Sequence, residues 1–129
     1  MTLKIPHSRG GGQDKFRKPR KYSRRIPVDL AIIGHYRSPE HLKTALEGFL
    51  SCFDPSNIYT PSINQEVREL CYYKGIDYNY IGGATRKRIT SCLDKCTAVL
   101  LFDLGKRTNT IKEIYTRSTG GLIVWPVIQ

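Results

Sequence analysis

From Val28 onward the chain alternates between short β-branched runs and stretches whose apolar residues recur with helical spacing. Val28–Ile33 (VDLAII) is closed by Gly34. Ser38-Pro39-Glu40 follows, an N-cap with proline at the first helical position. Leu42, Ala45, Leu46, Phe49 and Leu50 then mark one face of a helix that Asp54-Pro55 is expected to end. Ile58–Thr60 reads as a second strand. Asn64 to Lys74 reads as a second helix, with Val67, Leu70 and Cys71 inward and Gly75 at the position that favours a left-handed residue. Ile76–Ile81 is a third strand, broken by Gly82-Gly83. Thr85 is the expected cap of a third helix with Ile89, Cys92, Leu93 and Cys96 on its apolar stripe. Thr97–Phe102 (TAVLLF) is the most apolar run and the expected central strand. A fourth helix over Thr110–Thr119, Gly120-Gly121 and a last strand over Leu122–Ile128 complete the pattern.

Strand and helix therefore alternate, and the strands carry apolar residues on both faces. That pattern predicts an α/β fold: a three-layer Rossmann-like or flavodoxin-like sandwich around a five-stranded, mainly parallel sheet. No apolar run approaches the roughly 18–20 residues that a membrane-spanning helix needs. No membrane partner is expected.

Charge changes the picture. The 129 residues carry a formal net charge of +10, and its distribution is uneven. Residues 1–27 hold nine basic side chains and one acid, a net of +8, whereas residues 28–129 hold a net of only +2. The chain thus divides into a basic arm, residues 1–27, and a nearly neutral domain, residues 28–129. Glycine-rich, proline-punctuated and dense in like charge, the arm lacks the apolar surface to offset its ordering entropy, and an extended state is expected. Lys15, Arg17, Lys18, Arg20, Lys21, Arg24 and Arg25 are its candidate contacts to nucleic acid, with Phe16 and Tyr22 among them to stack on bases. A solubilising tail would need less charge. The start of the chain has no apolar secretory segment, and its glycines and Pro19 oppose an amphipathic transit helix. Cys52, Cys71, Cys92 and Cys96 form no CxxC pair, and three fall on helical apolar positions. Reduced thiols in a cytoplasmic setting are the expectation.

In a parallel sheet, ligands bind beyond the carboxyl ends of the strands. Strand one is followed by Gly34-His35-Tyr36-Arg37, with a single glycine where a dinucleotide fingerprint needs GxGxxG. No nicotinamide or flavin cofactor is expected. Strand two leads to Pro61-Ser62-Ile63-Asn64-Gln65, where Ser62 and Asn64 can cap a helix or touch a ligand. Strand three leads to Gly82-Gly83-Ala84-Thr85-Arg86-Lys87-Arg88, a glycine turn with cations at a helix start. Cations there oppose the helix dipole, which favours a phosphate partner. Strand four leads to Asp103-Leu104-Gly105-Lys106-Arg107-Thr108-Asn109-Thr110, with Glu113 beyond. Asp103 and Glu113 are the candidate catalytic carboxylates, able to hold a ribose or attack its anomeric carbon, or merely to complement a helix dipole. Gly34, His35, Arg37, Ser62, Asn64, Gly82, Gly83, Arg86, Arg88, Gly105, Asn109 and Thr110 are the candidate ligand-binding residues. Cys92 and Cys96 lie four apart, but nothing completes a metal site, and a core role is the simpler one. His35 and His41 have no nucleophile motif beside them.

The segments IIGHYRSPEHLKTALEGFL, IYTPSINQEVRELCYYKGI, TRKRITSCLDKCTAVLLF and DLGKRTNTIKEIYTR, in that order, resemble the SLOG group of Rossmann-like proteins. That group includes cytokinin-activating phosphoribohydrolases and nucleotide sensors, and is related to the nucleoside 2-deoxyribosyltransferases. The resemblance implies that Gly34 and Arg37, Arg88, and Asp103, Gly105, Asn109 and Thr110 stand at ligand-binding positions. It places Glu113 where the deoxyribosyltransferases have their nucleophile. The family's GGxxGxD loop after strand two is replaced by Pro61-Ser62-Ile63-Asn64-Gln65, and its glycine before Thr110 is Asn109. These departures weigh against catalysis. The expected function is therefore binding of nucleic acid or a nucleoprotein, ahead of a sensor for a nucleotide-derived small molecule, with an enzyme of N-glycosidic bonds third. A second copy of the chain is a further candidate partner.

Overall fold

The computed structural model describes residues 24–128, with Thr85 and Arg86 traced through their backbone alone. Of the basic arm, Arg24 and Arg25 are described; Lys15, Arg17, Lys18, Arg20 and Lys21 lie outside the described residues. Five strands alternate with four helices: β1 (Ile26–Ile33), α1 (Pro39–Leu50), β2 (Phe53–Thr60), α2 (Gln65–Lys74), β3 (Asp77–Tyr80), α3 (Thr85–Lys95), β4 (Ala98–Leu101), α4 (Thr108–Ser118) and β5 (Ile123–Pro126). The strands form one sheet in the order β3-β2-β1-β4-β5, with every pairing parallel. This is a Rossmann-like α/β sandwich. The chain runs outward from β1 through β2 to β3, then returns to β4 and runs to β5. The order reverses between β1 and β4, where such a sheet opens a crevice.

β1 lies at the centre because it can be buried on both faces. Leu30 and Ile32 point into one apolar cluster, Ala31 and Ile33 into the other. On the first face, α1 supplies Leu42, Leu46 and Phe49, and α2 supplies Val67 and Cys71. On the second, α3 supplies Ile89, Cys92 and Leu93, and α4 supplies Ile114. Phe49 stacks on Phe53 with ring centroids 4.6 Å apart and meets Trp125 edge-on at 5.5 Å. Full burial of such a ring contributes about 1.5–3 kcal/mol.

Local signals set most helix starts and stops. Ser38 caps α1 by accepting the backbone N–H of His41 at 3.1 Å, with Pro39 at the first helical position. Asn64 caps α2 through the N–H of Val67 at 3.0 Å, and Gly75 ends it at φ 68°. The third helix departs from expectation. Ala84, which has no acceptor, holds the cap position, and Thr85 is already helical. α4 begins at Thr108 rather than Thr110.

The largest correction concerns Asp54-Pro55. These residues do not end α1, which stops at Leu50; they lie inside β2. Pro55 is accommodated by a register shift, since Val28 pairs with Pro55 while Asp29 pairs with Asn57. β3 joins β2 only from Asn57 onward, so the proline lies before the stretch of β2 that pairs with β3. A missing N–H is tolerated at such a bulge. Among the described residues no helix is long and apolar enough to cross a membrane.

Candidate ligand site at the carboxyl end of the sheet

Two adjoining hollows open at the carboxyl end of the sheet. The first, of about 370 Å³, sits at the β1–β4 reversal. Ile33, Ile89 and Leu104 form its apolar base, with Gly34, His35 and Tyr36 after β1, Pro61, Ser62 and Asn64 after β2, and Arg88 and Arg107 completing the wall. The second, of about 440 Å³, lies along the start of α4 and is lined by Ile89, Thr90, Lys106 to Thr110 and Glu113. Ile89 and Arg107 belong to both, so the hollows lie side by side.

The first hollow is held by bonds between the ends of β1 and β4. Phe102 donates its N–H to the Ile33 carbonyl at 2.8 Å, and His35 donates its N–H to the Asp103 carbonyl at 2.9 Å. Gly34 stands between them at φ 100°. Phe102 is flanked by Tyr36 and His41, both edge-on, with centroids at 5.6 and 5.4 Å.

The wall after β2 is equally fixed. The Tyr36 hydroxyl reaches Asn64 Oδ1 at 3.2 Å and donates to the Glu66 carboxylate. Burial, reinforced by the bond to Glu66, pushes the Tyr36 phenol up to about 12. Asn64 donates its N–H to the Tyr78 hydroxyl at 3.0 Å, and Tyr78 and Thr60 share a hydroxyl contact at 2.7 Å. Thr60 donates in turn to the Ser62 carbonyl at 2.8 Å. Asn64 is therefore a cap, and its side chain also anchors Tyr36.

The candidate residues divide by place. Gly34, His35, Ser62, Asn64 and Arg88 line the first hollow; Asn109, Thr110 and Glu113 line the second. Arg37, Gly82, Gly83, Asp103 and Gly105 line neither. Arg37 donates its backbone N–H to His41 Nδ1 at 3.1 Å. The Asp103 carboxylate accepts the N–H of Gly105 at 2.8 Å, forming the turn after β4. Arg86 is the second residue of α3, and its side chain lies outside the described residues. Arg25 donates to the Leu50 carbonyl at 3.1 Å and lies 3.7 Å from Asp54, at the opposite end of the sheet from both hollows.

Glu113 accepts two bonds from Arg117, at 2.9 and 3.2 Å, both on Oε2. Arg117 also donates to Asp94 at 2.7 Å. Sequence reading did not select Tyr36, Tyr78 or Arg107. Tyr36 and Arg107 stood in the loops after strands one and four, and that placement was the available signal. Tyr78 gave none, because it acts through a hydroxyl supplied from a neighbouring strand.

Cys52, Cys71, Cys92 and Cys96 are free thiols. Burial pushes Cys71 and Cys92 up to about 12 and Cys96 to about 11, so all three stay protonated and unreactive near neutrality. Among the described residues no group of three or more His, Cys, Asp or Glu is placed to hold a metal ion. The chain matches no protein-family model, no curated protein and no solved structure.

Proposed function

We propose that this domain is a SLOG-like, non-catalytic binding module for a phosphate-bearing ligand of the nucleotide class, held in the first hollow. The observation that carries this reading is the make-up of that hollow. It has two arginines, Arg88 and Arg107, together with His35 and Ser62, and no carboxylate among the described residues that line it. Such a wall favours an anion and offers no carboxylate nucleophile or general acid. Of the two candidate catalytic carboxylates, Asp103 is engaged in a turn and Glu113 lies in the neighbouring hollow, paired with Arg117. That separation favours binding over N-glycosidic chemistry. Titration calorimetry with a panel of nucleoside monophosphates and inorganic phosphate tests the reading. Binding by the intact protein and its loss in Arg107→Ala support it; no binding by the folded protein removes it.

A second reading concerns the arm. Its net charge of +8 in residues 1–27 supports binding to nucleic acid or a nucleoprotein, independent of the hollow.

A further inference from the structure

Tyr72 and Tyr73 lie near the end of α2 on a side that the core does not use. Val67, Leu70 and Cys71 pack inward, and the helical turn carries the next two residues round to the outside. Both rings stand in solvent, 66% and 82% exposed, and they meet edge-on with centroids 5.4 Å apart. A hollow of about 210 Å³ between α2 and β3 adjoins Tyr72. A ring at a surface forgoes the contacts that burial supplies, but its flat face is what an unpaired base stacks on.

The fold brings this pair to the root of the arm. Each helix runs back to the amino end of the parallel sheet, so the last turns of α1 and α2 lie at the end where β1 begins. Lys74, next to Tyr73, reaches Glu47 in the last turn of α1 at 4.0 Å. Arg25 donates to the carbonyl of Leu50 in that same turn at 3.1 Å. One turn of α1 thus links the rings to the point where a segment of net charge +8 joins the domain. The surface around the rings is not itself cationic. Exposed Arg68 is offset by exposed Glu69 and Asp77, while Lys74 and Arg25 face Glu47 and Asp54. Charge and stacking surface are divided between two adjoining parts of the chain.

Resting on the reading of the arm as a nucleic-acid contact, we infer that Tyr72 and Tyr73 form a stacking platform for the bases of a single-stranded nucleic acid whose phosphates the arm neutralises. A single strand is the fit because a duplex keeps its bases stacked on one another and away from such rings. The platform adds affinity without steepening the salt dependence, which follows the number of phosphates neutralised.

Fluorescence anisotropy on the full-length protein tests this with three labelled probes. They are an oligothymidylate of about twelve nucleotides, a backbone of the same length and charge that lacks bases, and the oligothymidylate paired in a duplex. Tyr72→Ala/Tyr73→Ala is compared with the unaltered chain, with circular dichroism to verify folding. The double substitution weakens binding of the single strand at least about fivefold, the low end for one stacked base. Affinity for the base-free backbone and for the duplex stays within about twofold, and the salt slope for the single strand is unchanged. Tyr73→Ala alone acts in the same direction, and Tyr72→Phe/Tyr73→Phe, which keeps the rings, retains the unaltered affinity. An unaltered protein that binds the single strand no tighter than the base-free backbone overturns the inference and leaves the arm as an electrostatic contact. So does single-strand affinity that survives the alanine substitutions, or an equal loss for all three probes. Failure of every probe to bind at low salt overturns the reading of the arm itself.

Discussion

A Cβ on Gly34 would lie 2.6 Å from the carbonyl oxygen of Phe102, closer than any side chain tolerates. Gly34 ends β1, and Phe102 follows β4, so this approach is the joint from which the first hollow opens. The backbone at Gly34 also sits at φ 100°, a region that other residues avoid.

Gly34→Ala therefore combines a steric clash with backbone strain. We expect a loss of about 2–4 kcal/mol in stability, read as a lower urea midpoint with an unchanged slope. Phosphate binding in the first hollow weakens as well, because the β1 and β4 ends must part. A midpoint within error of the unaltered protein would show that the joint adapts more cheaply than its geometry implies.

The buried thiols give a signed pH dependence. Cys71 and Cys92 are raised to about 12 and Cys96 to about 11 in the folded protein, whereas an unfolded thiol ionises near pH 8.5. Above about pH 8.5 the unfolded chain releases protons that the native state retains, so stability is lost as pH rises toward 12. Urea unfolding under reducing conditions is expected to give a lower midpoint at pH 10 than at pH 7.5. The difference should shrink in Cys71→Ala compared across the same two conditions. At neutral pH, brief treatment with iodoacetamide should label the exposed Cys52 and spare the other three. Rapid labelling of Cys71 in the native protein would contradict its burial.

The arm joins the domain at the end of the sheet opposite the hollows. Arg25 is tied to Leu50 and Asp54 where β1 begins, and the hollows lie where it ends. An eight-residue strand spans about 25 Å, roughly three Debye lengths at physiological salt. Removing residues 1–22 is thus expected to weaken binding of an RNA or DNA oligonucleotide and to flatten its dependence on salt, as read by fluorescence anisotropy. Nucleotide affinity in the hollow is expected to stay within about twofold, because the described root of the arm, Arg25, is several Debye lengths away. A large change in nucleotide affinity on truncation would mean that the arm reaches over the hollow.

The net charge of the chain divides between two groups along the sequence. One is the arm, whose last cations, Arg24 and Arg25, immediately precede β1. The other surrounds Arg88, Lys106 and Arg107 beside the hollows.

Much of the fold was legible because its signals are local. The helical spacing of Leu42, Leu46 and Phe49, the cap residues Ser38 and Asn64 and the left-handed Gly75 each act within one or two turns. Asp54-Pro55 misled for the converse reason. Whether a proline is tolerated depends on how its strand is paired, and here a register shift against β1 takes it up, with β3 pairing only from Asn57 onward. Thr85 misled more narrowly, since Ala84 takes the cap position of α3 one residue earlier.

The candidate site divides along the same line. Residue pattern along the chain set the strand–helix alternation and therefore which loops lie beyond the strand ends; Gly34, His35, Ser62, Asn64 and Arg88 were selected in that way, and they line the first hollow. Tertiary structure alone decided that β1 and β4 are neighbours, that Tyr36 and Arg107 join the site, and that Asp103 and Glu113 do not face a common cavity. The physical reason is one of range. Spacing along the chain fixes which side of its own element a residue occupies. Which cavity that side faces depends on strand order and helix packing, and these are set by burial of β1 on both faces among partners distant in sequence.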